Sequence, residues 1–304
     1  MQKSGFVNIV GNPNVGKSTL MNALVGERLS IITSKAQTTR HRILGIVNGV
    51  NPSPTPEGEP VEWQIVYSDT PGVLKPAYKL QEQMREFSNS ALVDADVLIY
   101  VTDVQDSPER NADFMEKVQH SRSRVFLVIN KIDLTTQETL ENLVEYWHKQ
   151  LPEAEIFQIS AKERFGIDYL MQRIIDVLPE NPPYFDKDAL TDKPERFFVN
   201  EIIREKILLN YDKEIPYSVE VEVEQFKEED GLIRIGAVIY VERDSQKGII
   251  IGKAGSALKR VGSDARKDLE AFFGKKIFLE LFVKVDKDWR QKEGRLKHYG
   301  YDLS

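Results

Sequence analysis

The segment GNPNVGKS at 11–18 constrains this chain more than any other part of it. It fits the pattern G-x-x-x-x-G-K-[ST], follows the apolar run 6–10 and precedes the helix-like stretch 19–25. A glycine loop between a strand and a helix turns its backbone N–H groups toward an anion, and the helix N-terminus adds partial positive charge. Lys17 would then contact the β- and γ-phosphates, and Ser18 would ligate Mg²⁺. The flanking elements favour a nucleotide phosphate site over a plain glycine turn.

Length and composition limit the classes of protein that this chain can be. A chain of 304 residues is long enough for roughly two domains. It contains no cysteine, which excludes disulfides, thiolate metal sites and a cysteine nucleophile, and suits a reducing compartment. Residues 1–4 lead directly into the first predicted strand, so we expect no signal peptide. The longest apolar runs, such as 95–101, are too short to cross a bilayer, and we expect a cytoplasmic protein.

Strand-like and helix-like segments alternate through residues 1–178, which we predict to be the first domain. The predicted strands are 6–10, 43–47, 63–67, 97–101, 125–129 and 156–159. The predicted helices are 19–25, 81–93, 108–118, 137–150 and 167–177. This alternation is typical of an α/β fold in which helices cover both faces of a mainly parallel sheet. Ligands bind such sheets at the carboxyl ends of the strands, where each motif below lies.

The tetrapeptide DTPG at 69–72 follows the third predicted strand. Asp69 can hold the hydration shell of Mg²⁺, and Gly72 can donate its backbone N–H to a γ-phosphate. Alone, these four residues are only a turn signal, and their position behind the phosphate loop makes them informative.

Two further motifs predict recognition of guanine. In NKID at 130–133, the Asp133 carboxylate can accept hydrogen bonds from the guanine N1–H and 2-amino group, which adenine cannot offer. Asn130 would hold the neighbouring loops together, and the alkyl chain of Lys131 would cover the base. In SAK at 160–162, the backbone N–H of Ala161 could donate to guanine O6.

Between the phosphate loop and the second predicted strand lies the polar segment 30–42, which contains KAQTTRHR at 35–42. We call residues 30–42 the switch segment. A threonine here can complete the coordination of Mg²⁺ only when a γ-phosphate is present, which would make the segment an order–disorder switch. We assign this role to Thr39, with Thr38 as the alternative.

Residues 179–195 contain four prolines and many charges, and predict a semi-rigid, exposed linker. Beyond it, residues 196–304 show a different pattern. Predicted helices at 197–209 and 257–273 accompany predicted strands at 218–226, 232–241 and 276–285. This order predicts an α+β domain.

The second domain carries an uneven charge distribution and a second glycine loop. Residues 247–297 contain fourteen Lys or Arg against seven Asp or Glu, which indicates a basic face. Gly252-Lys253-Ala254-Gly255 is a GxxG loop that enters the helix 257–273, next to three isoleucines at 249–251. Such a loop can clamp about four nucleotides of single-stranded RNA. The alternative is a glycine turn flanked by core isoleucines. The basic tail 289–299 either extends this surface or is a solvated end.

Together, these motifs and KAQTTRHR resemble the Era family of translation-associated GTPases, over nearly the whole chain. The resemblance implies a P-loop GTPase domain followed by a KH-type domain, with Mg²⁺ as cofactor for GTP or GDP. It implies binding near the 3′ end of small-subunit ribosomal RNA and a role in assembly of the 30S subunit. It also implies a monomer, and it leaves a peripheral association with the inner membrane open.

The motifs and the resemblance assign site residues as follows. Nucleotide contacts are expected from Gly11, Asn12, Pro13, Asn14, Val15, Gly16, Lys17, Ser18, Thr19, Asp69, Thr70, Pro71, Gly72, Asn130, Lys131, Asp133, Ser160, Ala161 and Lys162. Mg²⁺ is expected at Ser18, Thr39 and Asp69. RNA contacts are expected from Ile251, Gly252, Lys253, Ala254, Gly255, Lys259 and Arg260.

Three positions qualify the resemblance. Val73 stands where Ras-like GTPases carry a glutamine that orients the attacking water, so no residue is assigned to that role. Asn14 matches an asparagine that related GTPases use to bind K⁺, although it could equally be a turn residue. The Pro/Gly-rich stretch 47–60 predicts a long hairpin loop, to which we assign no chemistry.

Two other functions fit parts of the sequence. A signalling GTPase could use the second domain to dock a protein or a membrane, but the basic stretch and the GxxG loop favour RNA. An ATPase would share the phosphate loop, but Asp133 argues against adenine.

Overall fold

The structure is a computed structural model that describes residues 2–52, 60–106 and 111–302. The first half contains six strands: β1 Gln2–Gly11, β2 Ile43–Asn51, β3 Val61–Asp69, β4 Val97–Asp103, β5 Arg124–Asn130 and β6 Glu155–Gln158. Its helices are α1 Lys17–Val25, α2 Lys79–Ser90, α3 Ala112–Gln119, α4 Gln137–Gln150 and α5 Ile167–Val177. All six predicted strands are confirmed, and four of the five predicted helices are fully described. The predicted helix 108–118 begins among residues outside the described ranges.

The six strands form one sheet in the order β2-β3-β1-β4-β5-β6. The pair β2 and β3 is antiparallel, and the other neighbouring pairs are parallel, so the predicted mainly parallel sheet is confirmed. Residues 47–51 of the predicted hairpin loop 47–60 belong to β2, residue 60 directly precedes β3, and residues 53–59 lie outside the described part of the chain. The parallel register places Ile9 beside Asp69, and Asp103 beside Asn130. The carboxyl ends of β1, β3, β4 and β5 therefore meet at one edge.

Helices cover both faces of this sheet, because its central strands are apolar on both sides. Residues such as Val7 and Ile9 of β1 pack in one cluster with α1 and α5, while Val10 belongs to a second cluster with α3 and α4. Trp147 of α4 is fully buried against Tyr100 of β4. Strands buried on both faces are typical of parallel sheets.

The second half forms a three-stranded sheet covered by helices on one face. Its elements are α6 Glu195–Asn210, α7 Ile215–Ser218, β7 Glu220–Glu229, β8 Leu232–Val241, α8 Asp244–Ile251, α9 Ser256–Phe273, β9 Lys276–Val285 and α10 Glu293–His298. The strand order is β7-β8-β9, with β7 antiparallel and β9 parallel to β8. Val221 and Val223 of β7 are buried with α6 and α9, so the alternation of β7 produces the half-buried strand that it predicts. The predicted α+β arrangement is confirmed.

Helix α8 was not predicted from the sequence. Its residues include Gly248 and three consecutive β-branched isoleucines, which lower helix propensity. Tertiary packing stabilises the helix in spite of this low propensity, since Ile250 is fully buried in the core of the second half while Ile249 is half exposed. Within the described residues, no helix is long and apolar enough to span a membrane.

The segment between α5 and α6 is attached to the first domain along much of its length. Gln64 of β3 accepts hydrogen bonds at Oε1 from the N–H groups of Tyr184 and Phe185, at 2.8 and 3.0 Å, and Ile46 of edge strand β2 donates to Leu190 O at 2.8 Å. An edge strand leaves backbone groups unpaired, and this segment pairs some of them. No residue of 179–195 is buried, which agrees with the expected exposed linker. Its contact with the sheet edge could not be seen from composition. The exact domain bounds 1–178 and 196–304 stay a prediction.

The C-terminal tail packs into the junction between the two halves. Trp289 is fully buried, donates from Nε1 to Ser218 O at 3.0 Å, and shares a cluster with Leu80 and Met84 of α2. Arg290 lies over the Tyr78 ring, 4.6 Å from its centroid, and pairs with Glu242. The tail is therefore not simply a solvated end, and the alternative that it extends the RNA surface stays a prediction. Trp289 and Leu296 are the buried residues of the tail, whereas Lys292 and Lys297 are exposed.

Candidate active site and nucleic-acid interface

The loop between β1 and α1 has the backbone that its glycines predict. Gly16 has φ +93°, and a Cβ there would lie 2.3 Å from Nδ2 of Asn130, so only glycine fits. Asn14 is also left-handed, with φ 67°, a conformation that asparagine tolerates better than most residues. The loop therefore wraps around the N-terminus of α1 and presents backbone groups to a shared cavity of about 330 Å³.

Lys17 is buried inside this loop. Its Nζ donates to Gly11 O at 3.1 Å and to Asn12 O at 2.8 Å, which holds the ammonium group at the loop opening. Burial lowers the pKa of Lys17 to about 8, against the opposing charges of Asp69 and Asp106. A cation whose charge is poorly compensated by its surroundings gains most from a nearby polyanion, as a phosphate chain would be.

Three oxygens from three separate segments converge beside Lys17. Ser18 Oγ lies 2.8 Å from Thr39 Oγ1 and donates to Asp69 Oδ2 at 2.7 Å, while Thr39 Oγ1 is 3.4 Å from the same carboxylate oxygen. Burial raises the pKa of Asp69, and its second oxygen, Oδ1, is buried without a hydrogen-bond partner. Mg²⁺ favours such sets of hard oxygen ligands, with one carboxylate and substrate phosphates. The residues present therefore fit the predicted metal.

Thr38, the alternative metal ligand, has its hydroxyl directed elsewhere. Its Oγ1 donates to Lys35 O and contacts Thr33 Oγ1, both at 2.6 Å, inside the switch segment. The structure thus places Thr39, and not Thr38, with Ser18 and Asp69.

The base-recognition motifs meet the phosphate loop through Asn130. This buried residue donates from Nδ2 to Val15 O at 2.9 Å and accepts from the Ala161 N–H at 3.0 Å. Asp133 is exposed and accepts from Ser160 Oγ at 2.6 Å. Lys131, left-handed with φ 61°, donates to Asn14 O at 2.6 Å. The three motifs thus form one connected rim around the cavity.

Several expected nucleotide contacts also have structural partners within the protein. The Ala161 N–H is already bonded to Asn130, so donation to guanine O6 would require that bond to be shared or broken. Thr70 is buried and donates to Ile9 O at 2.8 Å, and Val15 belongs to the core. Asn12 donates to Asp106 Oδ2 at 2.7 Å. Motif spacing places these residues near the site, but only side-chain directions show what each one contacts.

Val73 follows Gly72 and lies in the core of the first domain, with only 3% of its surface exposed. Its N–H donates to Gly11 O at 3.1 Å, which ties the DTPG loop to the phosphate loop. Its apolar, buried side chain cannot orient water. Residue 73 therefore differs from the Ras-like glutamine in its buried location as well as in its side-chain chemistry.

The second glycine loop connects α8 to α9. Gly252 has φ +71°, and a Cβ there would lie 2.6 Å from the Ala257 Cβ, which explains why glycine is required. Lys253 and Ala254 are exposed at the tip, and Ala254 itself is left-handed with φ 50°. The loop projects a charged tip from the N-terminus of the long helix α9.

Beside this loop lies a groove of about 500 Å³ between the first turns of α9 and strand β9. It is lined by Gly255, Leu258, Lys259, Gly262, Ser263, Arg266, Leu279 and Leu281. Of the predicted RNA contacts, Gly255 and Lys259 line the groove, while Arg260 is exposed outside its lining. The groove lining also includes Ser263, Arg266 and the two β9 leucines, none of which is in the predicted RNA-contact set. Helical spacing from 255 to 266 and alternation along β9 are the signals that would have found them.

Comparison with known proteins identifies both halves. Residues 6–131 match the family model described as 50S ribosome-binding GTPase, and residues 214–290 match that of the KH domain. The chain is 42% identical over 301 residues to GTPase Era of Ruminiclostridium cellulolyticum, covering 98% of this chain and 97% of that protein. It is 45% identical over 306 residues to GTPase Era of Syntrophus aciditrophicus, covering 99% and 96%.

This chain belongs to the Era family of GTPases.

Two solved Era structures resemble the whole chain. Aquifex aeolicus Era, a point variant bound to GDP and aluminium fluoride, is 39% identical with a TM-score of 0.89, covering 99% of this chain and all of that one. Era in complex with MgGDPNP and nucleotides 1506–1542 of 16S ribosomal RNA is 38% identical with a TM-score of 0.90, covering 100% of both chains. The family and the fold predicted from the motifs are confirmed, and this Era-family protein is a P-loop GTPase with a C-terminal KH domain.

Replacement of Lys17 by alanine tests the phosphate loop. We expect Lys17→Ala to lower the rate of GTP hydrolysis by about 100-fold or more, because a preorganised charge on the β- and γ-phosphates is lost. Nucleotide affinity should fall as well, and RNA binding without nucleotide should be retained. Phosphate release assays and filter binding measure these effects. Lys149→Ala, on the exposed face of α4, is the control. Near wild-type turnover in Lys17→Ala would refute the assignment.

Base recognition can be tested through Asp133. Asp133→Asn should shift the preference from GTP toward XTP by about 100-fold or more, since xanthine presents an oxygen where guanine has its 2-amino group. The new amide oxygen can still accept from Ser160, so the loop should keep its shape. Competition binding with both nucleotides measures the ratio. An unchanged GTP/XTP ratio would show that Asp133 does not contact the base.

Proposed function

We propose that this chain is a GTP-hydrolysing switch that binds small-subunit ribosomal RNA near its 3′ end through the KH loop and acts in assembly of the 30S subunit. The observation that carries the proposal is the presence, in one chain, of a complete phosphate, metal and base constellation and of an exposed GxxG tip beside a lined groove. The full-length similarity to Era bound to a 16S ribosomal RNA segment supports the choice of RNA.

In this proposal Ser18 and Asp69 hold Mg²⁺ with GTP or GDP, and Thr39 completes the coordination only when a γ-phosphate is present. When bound, the ion would bridge β- and γ-phosphate oxygens and offset their charge. Lys17 contributes a second positive charge from inside the loop, and Gly72 offers its N–H at the γ-phosphate end. Thr39 is the residue that distinguishes GTP from GDP, because it belongs to the switch segment and not to the rigid loop.

RNA binding is proposed to use the GxxG tip and the groove beside it. Glycine permits close approach of phosphates to the backbone, Lys253 and Lys259 supply charge, and the leucines of α9 and β9 supply an apolar floor for bases. Arg266 lies at the far end of the same helical stripe and extends the positive lining. Cytoplasmic location, the monomeric state and peripheral contact with the inner membrane stay predictions.

The clamp can be tested with Lys253→Asp/Ala254→Asp. Two carboxylates at the tip should repel RNA phosphates and reduce RNA affinity at fixed salt by about 100-fold, with basal GTP hydrolysis unchanged. Both positions are exposed, and aspartate tolerates the left-handed backbone of Ala254, so the fold should survive. Filter binding with a small-subunit 3′-end RNA measures affinity, and circular dichroism checks the fold.

A matched control is His148→Asp/Lys149→Asp, which changes the formal charge equally on the exposed face of α4. It should leave RNA affinity nearly unchanged. Equal affinity of the clamp and control variants would reject RNA binding by this loop. It would favour docking of a protein or a membrane by the second domain.

We also propose that Asn14 helps to bind K⁺ beside the phosphates. Asn14 lines the cavity that Lys17 also lines, its backbone is left-handed, and its carbonyl accepts a hydrogen bond from Lys131. Asn14→Gly permits the same left-handed backbone and removes the side-chain amide that would bind the ion. We expect wild-type hydrolysis to be faster in K⁺ than in Na⁺, and the variant to lose this difference while retaining GDP affinity. Equal rates of the wild type in both salts would contradict the proposal.

A further inference from the structure

The switch segment is held by the KH domain through two arginines that cross the boundary in opposite directions. Arg40, from the switch segment, is fully buried and donates to Val219 O at 2.7 Å and Pro216 O at 3.1 Å. It also lies 3.3 Å from the carboxylate of buried Glu220. Arg204, from α6 of the KH domain, donates to Gln37 O at 3.3 Å and Thr38 O at 2.5 Å. Each domain therefore places a guanidinium group on backbone carbonyls of the other.

Arg204 is itself firmly oriented. Its Nε and Nη2 donate to the two carboxylate oxygens of Glu201, at 2.8 and 2.5 Å, one turn earlier on the same helix. Both side chains are buried, with exposures of 1% and 4%. A planar guanidinium fixed on one edge by a carboxylate presents its remaining donors in a set direction, which a lysine could not reproduce.

These contacts enclose Thr39 on both sides along the chain. The carbonyls of residues 37 and 38 are held by Arg204, and residue 40 is anchored in the KH domain by its own side chain. Thr39 between them has its Oγ1 2.8 Å from Ser18 Oγ, within the proposed metal site. Lys35 adds a further anchor at Asp212, at 2.9 Å. Thr39 thus lies between anchors supplied by a domain of which no described residue lines the nucleotide cavity.

We propose that Arg204 is a positioning residue for GTP hydrolysis, which holds Thr39 at the metal site through the carbonyls of residues 37 and 38. The KH domain is then part of the machinery that distinguishes GTP from GDP. This inference rests on the proposed function, because it takes Thr39 to be a metal ligand.

The variant that tests it is Glu201→Gln/Arg204→Met. Removing Arg204 alone would leave the buried carboxylate of Glu201 unpaired and could unfold the domain, whereas the double change removes both charges. Methionine and glutamine are good helix formers, so α6 should persist. A second variant, Arg204→Lys, retains the charge but loses the two-pronged contact and should show the same direction of change.

We expect the affinity of the double variant for a non-hydrolysable GTP analogue with Mg²⁺ to fall about 10- to 100-fold, because small displacements of positioning groups have effects of this size. The affinity of the double variant for GDP should stay within about two-fold of the wild-type value. Thr39 is expected to contact the metal ion only when a γ-phosphate is present. In the nucleotide-free protein, amide hydrogen exchange of residues 37–40 should become faster by about ten-fold or more.

Arg28→Gln is the matched control. Arg28 also crosses the boundary, to Glu205 and Asp268, but it contacts none of residues 37–40. It should alter neither the ratio of analogue to GDP affinity nor the exchange of that segment. If the control and the double variant change this ratio equally, Arg204 has only a general role in domain contact and the inference is overturned.

Thr39→Val separates failure of the inference from failure of the proposed function. If Thr39→Val leaves the analogue/GDP ratio unchanged, Thr39 is not a metal ligand and the proposed metal site is wrong. If Thr39→Val lowers the ratio but Glu201→Gln/Arg204→Met does not, the metal site stands and the role of Arg204 is refuted. Lowered ratios in both, with faster exchange at residues 37–40 in the arginine variant, would support the inference.

Discussion

The parallel register of β1 between β3 and β4 is the constraint on which the rest of the first domain depends. Because β1 lies beside both strands, Gly11 emerges next to Val101, and Asp69 ends its strand level with Ile9. β5 extends the same edge, so that Asn130 follows beside Asp103 and reaches back to the phosphate loop. Short side chains from the loops after these four strands can therefore contact one another at this edge of the sheet. A shift of one residue in this register would turn Asp69 or Asn130 to the opposite face of the sheet, and the site residues would no longer converge.

The boundary between the two domains is unusual in the kind of interaction that forms it. Domain contacts within a chain are often modest and permit motion. Here the contact combines buried guanidinium groups on backbone carbonyls with an aromatic cluster, in which His41 stacks on Tyr301 at 4.2 Å between ring centroids. Burial and nearby cations lower the pKa of His41 to about 3, so it packs as a neutral ring. Ionic groups of this kind fix direction more than they add stability, since their desolvation offsets much of their attraction. The switch segment is consequently part of a domain interface as well as of a nucleotide site.

Particular elements show where prediction from sequence succeeded and where it could not. The helices 137–150 and 167–177 were predicted with correct bounds because their apolar periodicity is strong and caps or glycine precede them. The helix α8 was not predicted because its residues have low helix propensity, whereas tertiary packing stabilises the helix. The burial of Trp289 in the tail could not be predicted, because charge dominates the composition of residues 289–299 and Trp289 packs against the distant helix α2. The groove residues Leu279 and Leu281 could be expected on one face of a strand, but not beside α9.

What the sequence by itself determined is the chemistry that spacing encodes. A strand, a glycine loop with Lys17 and Ser18, and a set of motifs at strand ends define a guanine-nucleotide fold, since local backbone geometry and alternation need no knowledge of distant contacts. Only the tertiary structure decided which hydroxyl joins Asp69, where the Ala161 N–H points, and that Arg40 and Arg204 each enter the opposite domain. These outcomes depend on side-chain direction and on burial between residues far apart in the chain. Local sequence patterns carry no information about which distant carbonyl group accepts a hydrogen bond from a given guanidinium group.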